Sequence, residues 1–150
     1  MSRGPSALRP LRILAADIGG TNARFAAFAA DGNNVLSRLG TCWLSTAQSA
    51  SFPDLVARLD RGGCLPFAAA AADVAAVAIA GPVEEGVRST PPNIAWDLDL
   101  ARDAPALGLR RWVLLNDFAA QAFASRTPAM DRAEEVLPGR PDPRGVMAVV

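Results

Sequence analysis

Residues 13–28 read ILAADIGGTNARFAAF and consist of two strand-like apolar segments joined by a tight turn. The first segment runs from Ile13 to Ile18 and is polar only at Asp17, and the second resumes at Ala23 after the letters GGTN. A further turn, DGNN at residues 31–34, leads into a third candidate strand over residues 35–44. The pattern predicts three consecutive antiparallel strands, that is, a meander.

Downstream of the meander, helical patterns alternate with short apolar runs. Ser51 is a candidate N-cap, and Pro53 lies in the first turn of the helix that follows. Helices are predicted over residues 51–62, 100–107 and 118–124, and buried strands over residues 74–80 and 112–115. Three meandering strands followed by two strands, each preceded by a helix, predict an α/β fold with a mixed five-stranded sheet and flanking helices.

The composition excludes several kinds of site and partner. The 15 basic residues are all arginine and balance 15 acidic ones without a run of like charge, so no nucleic-acid or anionic-membrane surface is expected. Lysine, histidine and tyrosine are absent, so a general base in this segment must be a carboxylate. The longest apolar stretch, residues 66–80, contains Asp73 and is too short to cross a bilayer. We therefore expect a soluble, cytoplasmic protein.

Two other features are assigned structural roles. Cys42 and Cys64 are too few and too far apart in sequence for a zinc cluster or a disulfide framework, so we interpret both as reduced, buried, small apolar residues. The first eleven residues, MSRGPSALRPL, lack periodicity and predict a disordered lead-in. Order is expected to begin near Arg12.

The first candidate site is DIGGTN, residues 17–22. Its two glycines allow backbone amides to approach a phosphate closely, and Thr21 and Asn22 add hydrogen-bond donors. Asp17, which follows an apolar strand, is a suitable oxygen ligand for Mg²⁺. A simple hairpin turn would have the same glycine spacing, so that alternative stays open. The run lacks G-x-G-x-x-G, which disfavours dinucleotide binding.

The second candidate site is LLNDFAAQAFA, in which Asn116 and Asp117 end a buried strand. A carboxylate there can accept a proton from a sugar hydroxyl while that oxygen attacks phosphorus, and the neighbouring amide can bind other hydroxyls. The alternative interpretation makes Asp117 the N-cap of the following helix. Both roles can coexist.

Three segments, DIGGTNAR, PNIAW and LLNDFAAQA, resemble motifs of the bacterial glucokinases, in the same order along the chain. In that family they are the phosphate-1 motif, the sugar-side loop and the catalytic motif. The resemblance extends from about Ile13 to Val150. It implies a ribonuclease-H-like lobe, the actin-like ATPase fold shared by sugar kinases, hexokinases, actin and the heat-shock chaperone ATPases.

The resemblance also implies roles for individual residues. Asp117 would be the catalytic base and would bind the sugar together with Asn116. Asn93, in the TPPN loop, would touch the sugar, although a plain turn role stays open for it, and Trp96 is expected in the core. The γ-phosphate and magnesium side would be lined by Asp17, Gly19, Gly20, Thr21 and Asn22. The implied reaction is transfer of the γ-phosphoryl group of ATP, with Mg²⁺, to the 6-hydroxyl of glucose.

The family pattern continues beyond a strand like Gly145–Val150 with a second phosphate loop, a glutamate and a histidine, and an adenosine pocket. We therefore expect a lead-in at residues 1–11, an amino-terminal lobe at 12–144 and the start of the other lobe at 145–150. The chain is expected to be inactive alone.

A non-catalytic sugar-binding or nucleotide-binding module is the alternative, and a homodimer stays open. A repressor of this superfamily would need a helix-turn-helix region before the first strand.

Overall fold

The computed structural model describes residues 9–128, 131 and 134. The strands and helices are β1 (Leu11–Ile18), β2 (Asn22–Ala30), β3 (Leu36–Ser45), α1 (Phe52–Gly62), β4 (Val74–Ile79), β5 (Arg88–Ser89), β6 (Leu98–Asp99), α2 (Leu100–Ala106), β7 (Trp112–Asn116) and α3 (Asp117–Ala124). The predicted boundary at Arg12 falls one residue after β1 begins. The rest of the predicted lead-in, up to residue 8, and the predicted strand at 145–150 lie outside the described residues.

The main sheet has five strands in the order β3-β2-β1-β4-β7. Strands β1, β2 and β3 are antiparallel neighbours, whereas β4 lies parallel to β1 and β7 lies parallel to β4. This confirms the predicted mixed five-stranded sheet with its antiparallel meander. A separate two-stranded hairpin, β5 with β6, was not predicted.

One face of the main sheet carries the core, because side chains alternate between faces along each strand. Buried positions on this face include Leu14, Ala16 and Ile18 of β1, Ala23, Phe25 and Ala27 of β2, and Ala75, Val77 and Ile79 of β4. All of these except Ala27 pack in one cluster with apolar residues of α1 and α2 and with Trp96, which confirms that tryptophan as core. On the opposite face β4 is only half-buried, so the expectation of a strand buried on both faces was wrong for that face.

The N-caps of α1 and α2 follow the sequence signals. The Ser51 hydroxyl accepts a hydrogen bond from the Asp54 amide at 3.2 Å and begins α1, and Asp99 accepts one from the Arg102 amide at 3.1 Å and begins α2. The apolar residues of α1 face the sheet. Among the described residues, no helix is long and apolar enough to cross a membrane.

The interpretation of the cysteines was wrong. Cys42 and Cys64 form a disulfide with their Cα atoms 5.8 Å apart, and Cys64 is exposed rather than buried. The reason is a long-range contact that the sequence does not show. Helix α1 returns the chain to the sheet, so that Cys64, which follows the C-cap Gly63, lies beside strand β3. The bond therefore ties the end of α1 to an edge strand of the sheet.

Candidate active site

The two predicted sites meet at one edge of the main sheet. Strands β1, β4 and β7 run parallel, so their carboxyl ends share that edge. Ile18 is in register with Ile79, and Ile79 is in register with Asn116. The turn after β1 and the Asn116–Asp117 pair after β7 are therefore separated only by the end of β4.

The turn between β1 and β2 is held by backbone hydrogen bonds. The Gly19 amide donates to the Asn22 carbonyl, and the Thr46 amide donates to the Thr21 carbonyl, each at 3.0 Å. The hairpin alternative is thus correct as geometry, since this turn joins two paired strands. It does not exclude phosphate binding, because Thr21 and Asn22 are exposed.

Asp17 lies on the face of the sheet opposite the core, and its side chain is about half exposed. Its carboxylate is 3.6 Å from the Arg24 guanidinium, which itself lies 4.4 Å above the Trp43 ring. These three residues line an open cavity of about 440 Å³. Asp17 is therefore accessible to a cation. The described residues contain no cluster of three or more metal-ligating side chains.

Asn93 lies against the turn between β1 and β2. A Cβ atom built on Gly20 would be 2.8 Å from the Asn93 carbonyl oxygen and 2.9 Å from the Asn93 Cβ, closer than real contacts allow. Only glycine permits this approach. The Asn93 side chain is exposed, and the Ile94 amide donates to the Pro91 carbonyl at 3.4 Å. The loop is a turn, as the alternative proposed, and it also brings Asn93 to the site.

The side chains at the end of β7 are half-buried and hydrogen-bonded to each other. Asn116, with extended backbone, is the N-cap of α3 and accepts hydrogen bonds from the Phe118 and Ala119 amides. The interpretation of Asp117 as the cap was wrong, since Asp117 is the first residue of the helix. Its carboxylate lies at the positive end of the helix dipole, where a negative charge is favourable.

Gly81, just after β4, contacts both the end of β7 and the TPPN loop. It was missed as a site residue. Its carbonyl accepts a hydrogen bond from Asn116 Nδ2 at 2.9 Å. A Cβ atom on Gly81 would be 2.9 Å from both Cα and Cβ of Pro91, so the TPPN loop packs directly on its backbone. A Gly-Pro pair after a buried strand is visible in the sequence, but it indicates only a turn.

Thr46 was also missed. It is buried, and it fixes the turn between β1 and β2 through its amide, as described above. Its hydroxyl oxygen has no hydrogen-bond partner among the described residues. Arg58 of α1 supports the same segment by donating to the Ser45 carbonyl and, at 2.9 Å, to the Ser49 hydroxyl. No periodicity or motif in the sequence indicates these contacts, because they join distant segments.

A family model described as Glucokinase matches residues 14–150. The chain belongs to the glucokinase family. A curated glucokinase of Saccharophagus degradans is 32% identical over 142 residues, covering 91% of this chain and 41% of the relative. One of Mesorhizobium japonicum is 33% identical over 143 residues, covering 92% and 38%. The chain spans about two fifths of the length of the curated glucokinases it matches.

Solved glucokinases share the fold. The crystal structure of a glucokinase from an Antarctic psychrotroph matches with a TM-score of 0.70 and 28% identity, over 88% of this chain and 40% of that one. The glucokinase of Balamuthia mandrillaris, solved in complex with glucose, matches with a TM-score of 0.59 and 20% identity, over 81% and 34%, and supports the fold alone. The predicted ribonuclease-H-like, actin-like ATPase fold class is confirmed.

Proposed function

We propose that this chain forms one wall of the active site of an ATP-dependent glucokinase, which transfers the γ-phosphoryl group of ATP to the 6-hydroxyl of glucose. The observation that supports this best is the hydrogen bonding of the Asp117 carboxylate. Its Oδ1 accepts a hydrogen bond from Asn116 Nδ2 and shares the Phe118 N–H with Asn116 Oδ1, whereas Oδ2 accepts none from the described residues. A half-buried carboxylate with one oxygen held and one available suits a general base.

In this proposal the residues at the carboxyl ends of the parallel strands have separate roles. Asp117 accepts the proton of the 6-hydroxyl as that oxygen attacks phosphorus, and Asn93 and Asn116 contact the sugar. The turn at residues 19–22, whose Gly19 amide already donates to the Asn22 carbonyl, orients the transferred phosphoryl group through its other amides and the side chains of Thr21 and Asn22. Positioning of this kind supplies most of the rate enhancement in phosphoryl transfer.

Mg²⁺, when bound, neutralises charge on the phosphates. Asp17 would hold it, directly or through a water. A single accessible carboxylate at a strand end fits this ion, since Mg²⁺ bound with nucleotide takes most of its ligands from phosphate oxygens and water.

The proposal further places the enzyme in the cytoplasm, at the entry to glycolysis. The Cys42–Cys64 disulfide argues against a permanently reducing compartment, because such bonds are rare in the cytosol. Counting free thiols in protein quenched with acid at cell lysis tests this part. Two free thiols per chain would agree with a cytoplasmic location. The absence of free thiols would contradict it.

Asp117→Asn is the decisive test of the proposed reaction. The variant is made in this chain joined to the carboxyl-terminal part of the Saccharophagus degradans glucokinase, and turnover is followed in a coupled assay with glucose, ATP and magnesium. We expect turnover to fall by about 10² to 10⁴, the usual cost of losing a general base, with glucose affinity retained. Asp60→Asn is the matched control, because Asp60 lies at the far end of α1 and an asparagine oxygen can still accept from the Ala69 amide.

Each outcome has a distinct meaning. Retention of more than about a tenth of the turnover by Asp117→Asn would show that Asp117 is not the base. A joined wild-type protein that binds glucose but never turns over would favour the non-catalytic binding module. The 150-residue chain, assayed in parallel, is expected to show no turnover, since catalysis by positioning needs both sides of the cleft.

A further inference from the structure

The segment that follows strand β3 closes against the turn between β1 and β2. The Thr46 amide donates to the Thr21 carbonyl at 3.0 Å, and Ser45 is in register with Asn22. A peptide group is planar, so a bound Thr21 carbonyl also fixes the direction of the Asn22 N–H in the same plane. The orientation of this part of the turn therefore depends on the position of Thr46.

Thr46 begins a single 3₁₀ turn, Thr46–Gln48, which needs support from outside. The Ser49 amide donates to the Thr46 carbonyl at 3.0 Å, but the Ser45 side chain makes no capping hydrogen bond. Ordering one isolated turn is unfavourable, because several backbone dihedrals are fixed for one hydrogen bond. Contacts from another part of the fold must therefore hold residues 45–49 in place.

Arg58 of α1 supplies such contacts. Its guanidinium donates to the Ser49 hydroxyl and to the Gln48 side-chain oxygen, each at 2.9 Å, and to the Ser45 carbonyl at 3.4 Å. These acceptors lie on both sides of Thr46, and all three are neutral oxygens. Among the described residues, Arg58 forms no ion pair with a carboxylate. A planar guanidinium with five N–H donors can bind several acceptors in fixed directions.

Helix α1 gives Arg58 a firm base. The neighbouring residues Leu55, Val56 and Leu59 are buried in the main core cluster, and the Arg58 side chain is half-buried. Close packing of this kind leaves little freedom for the helix to move. The guanidinium thus fixes residues 45–49 relative to the core.

We propose that Arg58 is a positioning residue for the turn between β1 and β2. By holding residues 45–49 it keeps the Thr46 amide on the Thr21 carbonyl, and it thereby orients the turn for the phosphates of ATP. The catalytic part of this inference rests on the proposed function. The geometric part, that Arg58 keeps the hydrogen bond from Thr46 to Thr21 closed, is tested on the chain itself.

Three variants separate the donors of Arg58 from its charge and its packing. Arg58→Met removes the donors but keeps an unbranched aliphatic side chain, so packing along α1 is retained. Arg58→Lys keeps the charge and three donors without the planar fork. Arg61→Met is the matched control, because Arg61 is exposed in the last turn of the same helix.

Hydrogen exchange of the Thr46 amide in the 150-residue chain measures the geometric part. We expect exchange about tenfold faster in Arg58→Met than in wild type or Arg61→Met, with Arg58→Lys between them. The Ala80 amide donates to the Ile18 carbonyl at 2.9 Å beside the same turn and is the internal reference, which should not change. Unchanged exchange at Thr46, or equal acceleration at Thr46 and Ala80, would overturn the proposal.

In the joined protein used to test Asp117, the KM for ATP distinguishes positioning from a purely structural role. We expect Arg58→Met to raise it by about 10-fold to 100-fold, the loss for one misaligned hydrogen bond to a charged phosphate, with the dissociation constant for glucose within about twofold. A structural role would leave less folded enzyme, so that kcat fell while the KM for ATP stayed the same, and this result would overturn the proposal.

Failure of the proposed function has a different signature. The joined wild-type protein would then show no turnover, whereas the exchange rates of the Thr46 and Ala80 amides in the chain itself would still decide whether Arg58 holds the turn.

Discussion

Reduction of the Cys42–Cys64 disulfide should destabilise the chain by a predictable amount. The two cysteines are 22 residues apart in sequence. Closing a loop of that length lowers the entropy of the unfolded chain enough to stabilise the folded state by about 3 kcal/mol. For a domain of this size that corresponds to a fall in Tm of about 10 °C when the bond is broken.

The structural consequences should be uneven. Among the described residues, β3 pairs in the sheet with β2 alone, so the disulfide is an additional attachment for this edge strand. The order of the sheet places β4 and β7 on the other side of β1. We therefore expect faster hydrogen exchange in β3 after reduction, and little change at the carboxyl ends of β4 and β7.

Thermal melts followed by circular dichroism, with and without the reductant TCEP, measure the effect. Cys42→Ser combined with Cys64→Ser is the matched control, because this variant should melt at the reduced temperature under both conditions. The reasoning would be refuted by an unchanged Tm in TCEP when thiol titration shows two free thiols. Two free thiols before reduction would show instead that the cysteines are not bonded.

Three further predictions follow from single contacts. Thr46→Val removes a buried hydroxyl that has no partner among the described residues and should stabilise the chain by about 1 kcal/mol in denaturant titrations; a loss of stability would reveal a hidden partner. Gly20→Ala should destabilise by about 1–3 kcal/mol because its methyl would overlap the neighbouring loop, whereas Gly32→Ala, whose methyl meets nothing within 4 Å, is the control; equal effects would contradict the close approach. The hydrogen bond from Arg9 lowers the pKa of Asp73 from 3.8 to about 2, so the pair stabilises above pH 4 and the benefit is lost as pH falls toward 2. The Tm difference between wild type and Arg9→Ala should therefore shrink over that range, and a constant difference would contradict the assignment.

The sheet was predictable from the sequence because its strands have local signals. The meander is marked by two turns rich in glycine and asparagine, and the parallel strands are short apolar runs that follow helical patterns. Helix α1 was predictable from Ser51 and from the spacing of its apolar residues. Each signal lies within about ten residues of the element it predicts.

What could not be predicted depends on contacts between distant segments. The disulfide, the support of the turn by Thr46 and the anchoring of Asn116 on Gly81 join residues 22, 25 and 35 positions apart. The hairpin β5–β6 has strands of only two residues, too short for any period to be visible. The cap of α3 was assigned one residue late because both Asn and Asp are good N-caps.

The loop around Pro91 and Asn93 connects the two halves of the candidate site. It packs on Gly20 of the turn between β1 and β2 at one end and on Gly81 at the other, and at both points a single methyl group would collide with it. Gly81 in turn anchors Asn116, and Asn116 holds Asp117. Because each contact is close-packed, a displacement of the loop should be transmitted to both the turn between β1 and β2 and the Asp117 carboxylate. In the proposed reaction, a sugar that orders this loop through Asn93 would therefore also order Asp117 and the turn between β1 and β2, and glucose binding would then be coupled to phosphoryl transfer.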